Sequence, residues 1–256
     1  MRFQGHYQSG DGLLHRLDAR VKLVVALILI AGIVFTPEHA RLAYPLLWTL
    51  LGVIAALSGL NAWRIARMGG MALPFTLAAA TLLFTLPGQP LVSLAGLTIT
   101  DAGLSRFLSI VIKSWLAVQV TLILSMTTAF ADLLWAFRCL RVPSALVEII
   151  SFMYRYLFTL QDEAQHLIRA RAARSGTITG KKSGGSLVWR AHVTGSMIGS
   201  LLLRSYERSE RVYAAMLARG YSGTIRAIKP TPLPVQDMVQ GVIPILLLVM
   251  IEIVSM

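Results

Sequence analysis

Two arginines, each at the end of a long basic segment, are the residues in this sequence best suited to bind a partner. Arg174 stands in the segment ARSG and Arg219 in ARGYSG, and each has an alanine directly before it and another four residues before it, at Ala170 and Ala215. A planar guanidinium can pair with a carboxylate through two parallel hydrogen bonds, and small neighbours let a helix end enter a groove. The repeat predicts two equivalent docking ends and a partner with two similar or identical subunits.

The same residues also suit the ordinary ending of a helix. Glycine is a common residue just past the last turn, and an arginine there complements the negative end of the helix dipole. Capping explains one such end, but the repetition on consecutive long helices favours docking.

Other chemistry finds little support in the sequence. The segment GTITGKKS (176–183) has three residues between its glycines where a phosphate-binding loop needs four, and no strand precedes it. No Ser/His/Asp or paired-carboxylate arrangement is present, and the single cysteine, Cys139, excludes a disulfide framework. We therefore expect no catalytic residue, no metal site and no cofactor, so the chain is not predicted to be an enzyme. The five histidines lack metal-ligand spacing: His6, His15, His39, His166 and His192.

Composition places the chain in a membrane. Its 256 residues are 55% hydrophobic and 14% charged, with a mean hydropathy of +0.67, whereas soluble domains carry about a quarter charged residues. The first twenty residues contain Asp11, Arg16, Asp18 and Arg20 and no apolar core, so we expect no cleaved signal peptide. The predicted class is an all-α integral membrane protein.

Hydropathy predicts about five transmembrane helices, since one span needs roughly 20 mainly apolar residues. They cover residues 21–35, 42–60, 65–86, 104–131 and 235–254, with a kink expected at Pro74 and a further proline, Pro244, in the last span. No strand pattern is expected in the intervening loops. Long helices are predicted at 144–173 and 187–219, separated by a polar linker at 175–186. The predicted domains are a transmembrane bundle (1–131), a cytoplasmic domain of long coupling helices (132–229) and a C-terminal transmembrane helix (230–256).

Lysine and arginine positions predict the orientation. Basic residues precede the first span, lie between the second and third, and are concentrated in 132–229. The loop between the first and second spans holds only Arg41, and the loop between the third and fourth holds none before Arg106. The N-terminus and the domain 132–229 are therefore expected on the cytoplasmic side of the membrane, with the C-terminus outside.

Two further charged features have simpler interpretations. Lys113 lies inside the fourth predicted span, seven residues after Arg106, so it is expected to reach the outer face or a structural partner rather than to bind substrate. The segment LDARVK (17–22) is interpreted as a positively charged anchor with an acid near a helix start.

The chain resembles the transmembrane T component of energy-coupling factor (ECF) transporters, most closely the CbiQ type of cobalt importers. The resemblance covers nearly the whole length and rests on five segments: LHRLDARVKL (14–23), MTTAFADLLWAFRCLRVP (126–143), MYRYLFTLQDEA (153–164), ARS (173–175) and ERSERVYAAMLARGYSG (207–223).

This resemblance implies a non-catalytic subunit in the bacterial inner membrane. It would hold two ABC-type ATPase subunits and bind a small substrate-capture membrane protein, the S component. The implied docking residues are Ala173, Arg174 and Ser175 at the first end and Ala218, Arg219 and Gly220 at the second. ATP-driven closure of the ATPase pair would move the coupling helices and tilt the S component. The CbiQ-like character favours cobalt as substrate, with nickel or a vitamin as alternatives.

Two other functions stay open at this point. A self-sufficient channel or secondary transporter would need charged or broken-helix sites at midbilayer, for which the spans offer only Lys113 and some prolines. A scaffold for anionic lipid or nucleic acid would use the basic domain, but its longest basic run is Lys181-Lys182, so no nucleic-acid partner is expected.

Overall fold

The computed structural model describes residues 10, 12–37, 40, 42–85, 90–94, 97–174, 186–223 and 233–255. Their helices and strands, in chain order, are α1 (Leu13–Arg16), α2 (Ala19–Phe35), α3 (Ala43–Leu57), α4 (Ala62–Gly69), α5 (Leu73–Thr76), α6 (Leu82–Thr85), β1 (Pro90–Leu94), β2 (Leu97–Thr100), α7 (Asp101–Thr127), α8 (Phe130–Cys139), α9 (Ser144–Arg174), α10 (Leu187–Ala218) and α11 (Val235–Ser255). The chain divides into two compact units. The bundle unit contains α1–α8, the two strands and α11, and the helix-pair unit contains α9 and α10.

Two helices of the bundle unit, α7 and α11, are long and apolar enough to cross a membrane by length and composition. The apolar helices α2 and α3 are shorter, with 17 and 15 residues. The helical class of the chain is confirmed, and its predicted number of five spans stays a prediction.

The third predicted span is not one continuous helix. Between α4 and α6 the chain alternates between 3₁₀ and α geometry, with 3₁₀ turns at Gly70–Ala72 and Leu77–Thr81. The expected break at Pro74 therefore begins earlier, at the glycine pair 69–70, because glycine weakens a helix and proline lacks a backbone donor.

A short hairpin forms where no strand was expected. The strands β1 and β2 pair antiparallel, with Val92 opposite Ile99 and Leu94 opposite Leu97. The prediction of no strand was wrong here because LTIT alternates apolar and polar residues over only four positions and LVSL does not alternate, so neither segment carries a recognisable period-2 pattern.

The core of the bundle unit lies among α2, α3, α7 and α11. Ile33, Leu47 and Leu116 are almost completely buried there. Helix α11 approaches α2 closely at two glycines, Gly32 and Gly241, where an added Cβ would overlap Leu248 and Val21 respectively. Small residues at helix crossings of this kind are typical of membrane bundles.

Candidate functional site

The first arginine end closes α9. Arg174 is the last residue of this helix, and both it and Ala173 are exposed. The third residue of this predicted docking end, Ser175, lies outside the described residues, as does most of the linker 175–186.

The second arginine end closes α10 with a glycine cap. Arg219 follows the last helical residue, Ala218, and Gly220 has a positive φ of 81°. The Gly220 N–H donates to the Leu217 carbonyl at 2.9 Å, and the Tyr221 N–H donates to the Met216 carbonyl at 3.0 Å. These two bonds form a Schellman motif, for which glycine is the favoured residue. The capping function of this end is therefore present in the structure, with Arg219 exposed beside it.

Tyr221 ties this second end to the start of α9. Its hydroxyl donates a hydrogen bond of 3.0 Å to Glu148 Oε2, and Glu148 is buried. That bond to the carboxylate raises the pKa of the Tyr221 phenol above its ordinary value. Arg219, two residues before Tyr221, is held next to the first turns of α9.

The contacts along the pair show that α9 and α10 run antiparallel. Near the middle, Glu163 of α9 accepts from Arg204 at 3.4 Å and from Arg208 at 3.1 Å. Farther along α9, Arg171 donates to Thr194 at 3.3 Å. The two ion pairs of Glu163 are partly exposed, so each contributes little to the free energy of folding. Together with the Arg171–Thr194 hydrogen bond, they define the register of the two helices.

The antiparallel register places the two arginine ends far apart. Tyr221 contacts α9 at Glu148, and Arg174 follows Glu148 by 26 residues on the same continuous helix, which corresponds to about 39 Å at 1.5 Å per residue. The structure does not bring Arg174 and Arg219 together. Each guanidinium lacks an ion pair or side-chain hydrogen bond with any residue that the structure describes, so both are available to a partner's carboxylates.

The comparisons with known proteins decide the family. The profile of the CbiQ family, described as "Cobalt transport protein", matches residues 10–230. This chain belongs to the CbiQ family.

Relatives of this CbiQ-family chain are named as parts of transporters. It is 28% identical over 228 residues to the "Energy-coupling factor transporter transmembrane protein EcfT" of Bacillus selenitireducens, covering 86% of this chain and 83% of the relative. The protein of the same name from Staphylococcus aureus is 27% identical over 87% of this chain and 84% of its own length. The "Cobalt transport protein CbiQ" of Rhodobacter capsulatus is 30% identical over 54% of this chain and 53% of its own length. These relatives are named as transmembrane or transport proteins, and the family to which the chain belongs is described as a cobalt transport protein.

The contact of Tyr221 with Glu148 and the contacts of Glu163 with Arg204 and Arg208 were not predicted from the sequence. The only feature of the sequence that points to the Tyr221 contact is the position of this tyrosine, directly after the second docking end. Glu163 and Arg208 are separated by 45 positions, the same offset as Arg174 and Arg219. That equality is visible in the sequence, but nothing there marks it as a contact.

Lys113 has a structural partner within the bundle unit. Its ammonium donates to the backbone carbonyl of Val34 at 3.2 Å, in the last turn of α2. Of the interpretations left open by the sequence, the structural one is therefore observed, and the lysine complements the negative end of the α2 dipole.

Proposed function

We propose that this chain is the energy-coupling T subunit of an ABC-type ECF importer. It links ATP hydrolysis by two ATPase subunits to a small substrate-capture membrane protein and carries no catalytic residue itself. The names of its EcfT relatives support the transporter role. The observation that carries the coupling role is the pair of exposed arginines, each at the C-terminal end of its helix. Because α9 and α10 are antiparallel, the two arginines lie at opposite ends of the helix pair.

Each docking end combines one charge with small neighbours. Arg174 lies between Ala173 and Ser175, and Arg219 lies between Ala218 and Gly220. The alanines, serine and glycine allow a groove wall to approach the helix end, and the guanidinium then pairs bidentately with a carboxylate inside the groove. A separation of about 39 Å along α9 suits engagement of two separate subunits rather than two sites on one small surface.

Cobalt is the proposed substrate. The description of the family and the CbiQ relative from Rhodobacter capsulatus support a divalent cobalt ion. Among the residues that the structure describes, no three His, Cys, Asp or Glu side chains are placed to hold a metal. Under this proposal Co²⁺ is cargo held by the S component, and a nickel or vitamin importer is the alternative.

The proposed topology has five spans, with the N-terminus and the helix-pair unit in the cytoplasm and the C-terminus outside. It is supported by the distribution of lysine and arginine, since cytoplasmic loops carry the excess of these residues. The ATPase subunits need cytoplasmic ATP, so the same orientation places both arginine ends where their partners would be.

The docking proposal is tested with the double variant Arg174→Ala, Arg219→Ala. Removing one partner of a desolvated charge pair costs about 2–5 kcal/mol, so co-purification of ATPase subunits with the tagged chain should be lost while membrane insertion persists. Lysine at both positions should also impair binding, because it lacks the planar fork.

A matched control removes two other exposed arginines of the same helices. Arg169→Ala with Arg211→Ala changes the charge by the same amount. Within the described part of the chain, the polar contacts of these two residues are local, to the Gln165 carbonyl and to Glu207. This control should retain ATPase subunits at the wild-type level. Wild-type recovery with the docking variant, or equal loss in the control, would show that the arginine ends do not dock.

A further inference from the structure

The segment LDARVK joins more of the bundle unit than a helix cap requires. Asp18 accepts a hydrogen bond from the Arg20 N–H at 2.9 Å and so caps α2 in the ordinary way. Its own backbone N–H donates to Asp237 Oδ2 in the first turn of α11, also at 2.9 Å. The start of α2 is thereby tied to the start of α11.

Lys22 of the same segment holds the joint between α7 and α8. This lysine is only 8% exposed, and its ammonium donates to the Thr127 carbonyl at 3.1 Å and to the His15 carbonyl at 3.4 Å. Thr127 ends α7, and two residues in extended conformation separate it from α8. The lysine places a positive charge at the negative end of α7, at the point where the chain bends.

Helix α8 itself lies against the first turns of α2. The Arg20 guanidinium stands 3.6 Å from the ring centre of Trp135, close enough for a cation–π interaction. On the neighbouring face, Ala19 and Leu23 pack with the fully buried Ala136. One short segment of α2 thus contacts α8, the end of α7 and the start of α11.

The helices α8 and α11, which the LDARVK segment contacts, stand where the chain leaves and re-enters the bundle unit. The chain leaves the bundle unit directly after α8 and returns to it shortly before α11. The connection after α8 and the connection before α11 therefore begin at helices that the LDARVK segment contacts.

We infer that Asp18, Arg20 and Lys22 form a clamp that fixes the connection after α8 and the connection before α11 to the bundle, so that movement of α9 and α10 is passed on to the membrane helices. In this role Lys22 is a positioning residue that acts through the joint between α7 and α8. The inferred effect on transport rests on the proposed function, whereas the clamp itself does not.

The clamp is tested by amide hydrogen exchange on the full chain in nanodiscs. In Lys22→Met, the amides of α8 should exchange about tenfold faster or more, the factor expected when a hydrogen bond to a charged group is lost. Lys113→Met is the matched control, because that lysine also donates to a backbone carbonyl, but at the other end of α2. Unchanged α8 exchange in Lys22→Met, or equal acceleration in both variants, overturns the inference.

A second pair of variants tests the clamp if Lys22→Met folds poorly. Asp237→Ala removes the acceptor for the Asp18 N–H, and Asp237→Asn keeps an oxygen that can accept it. Faster exchange at the start of α2 in the alanine variant alone supports the clamp, and equal behaviour of the two variants contradicts it.

The transmission step is tested in the complex with ATPase subunits and S component. Coupling between two sites typically amounts to about 5- to 150-fold, so Co²⁺ uptake per ATP hydrolysed should fall about tenfold or more in Lys22→Met. ATPase recovery should be unchanged, and Lys22→Arg should restore much of the ratio. An unchanged ratio overturns the transmission step.

The two proposals can fail separately. A wild-type chain that recovers no ATPase subunits contradicts the proposed function, and one that recovers them without Co²⁺ uptake contradicts only the assignment of cobalt. In both cases the exchange comparison still decides whether the clamp exists.

Discussion

At the scale of single residues, capping and docking are compatible uses of the same helix end. The Schellman motif at Gly220 satisfies the last carbonyls of α10 through backbone groups alone. It leaves the Arg219 guanidinium exposed and unengaged by the residues that the structure describes. A cap that used the arginine side chain as a donor would compete with docking. The cap at Gly220 uses backbone donors instead.

Tyr221→Phe should weaken the second docking end specifically. The change removes the hydrogen bond to Glu148 and keeps the ring, so Arg219 loses its fixed position while Arg174 is untouched. Introduced into Arg174→Ala, it should reduce ATPase co-purification severalfold further. Introduced into Arg219→Ala, it should change nothing. Tyr206→Phe, which changes an exposed tyrosine within α10, is the control, and additional loss in both backgrounds would contradict a local role.

The same bond predicts how stability depends on alkaline pH. The pKa of Tyr221 is raised in the folded chain, so its stabilising effect is fully present below about pH 10, the ordinary tyrosine value. It is lost as the pH rises through the raised pKa. The difference in melting temperature between wild type and Tyr221→Phe should therefore shrink above about pH 10.

The sequence could predict both arginine ends but not the contact that positions one of them. Arginine, alanine and glycine at helix ends form a local pattern that can be read from neighbouring letters. Tyr221 and Glu148 are 73 positions apart, and their contact depends on the register of two long helices. Nothing in either local segment specifies that register.

At the scale of helices and strands, hydropathy located apolar segments better than it described their geometry. The stretch 65–86 is apolar enough for one span, yet it breaks into short α and 3₁₀ pieces after α4. Hydropathy measures transfer out of water and carries no information on backbone continuity, which glycine and proline control locally. The hairpin after it was missed for a related reason, since each strand is only four or five residues long.

Gly241→Ala should destabilise the packing of α11 on α2. An added Cβ would overlap a methyl group of Val21, a β-branched side chain with little rotameric freedom. Overpacking of this kind typically costs about 1–3 kcal/mol, which thermal unfolding in nanodiscs would show as a lower midpoint. Gly52→Ala in α3 is the control, because no atom lies within 4 Å of the added Cβ. A lower midpoint in both variants would point to helix effects other than this close approach.

At the scale of the whole molecule, the contacts divide the chain into an apolar unit and a strongly basic unit. The apolar helices form the bundle unit, and the strongly basic segment forms the helix-pair unit. The division falls after α8, whereas the predicted coupling domain began at residue 132. Composition changes before α8, but α8 packs on α2 through Ala136, and such a contact is not evident from composition.

The single cysteine offers a direct test of the proposed orientation. Cys139 is exposed at the end of α8, and the excess of lysine and arginine after it predicts a cytoplasmic position. A membrane-impermeant maleimide should therefore label the wild-type chain in permeabilised spheroplasts and leave it unlabelled in intact ones. In a Cys139→Ser background, Ser255→Cys at the end of α11 should show the opposite behaviour, with labelling of intact spheroplasts. Labelling of both positions from the same side would exclude an odd number of spans between Cys139 and the C-terminus, and would require a different assignment of α11.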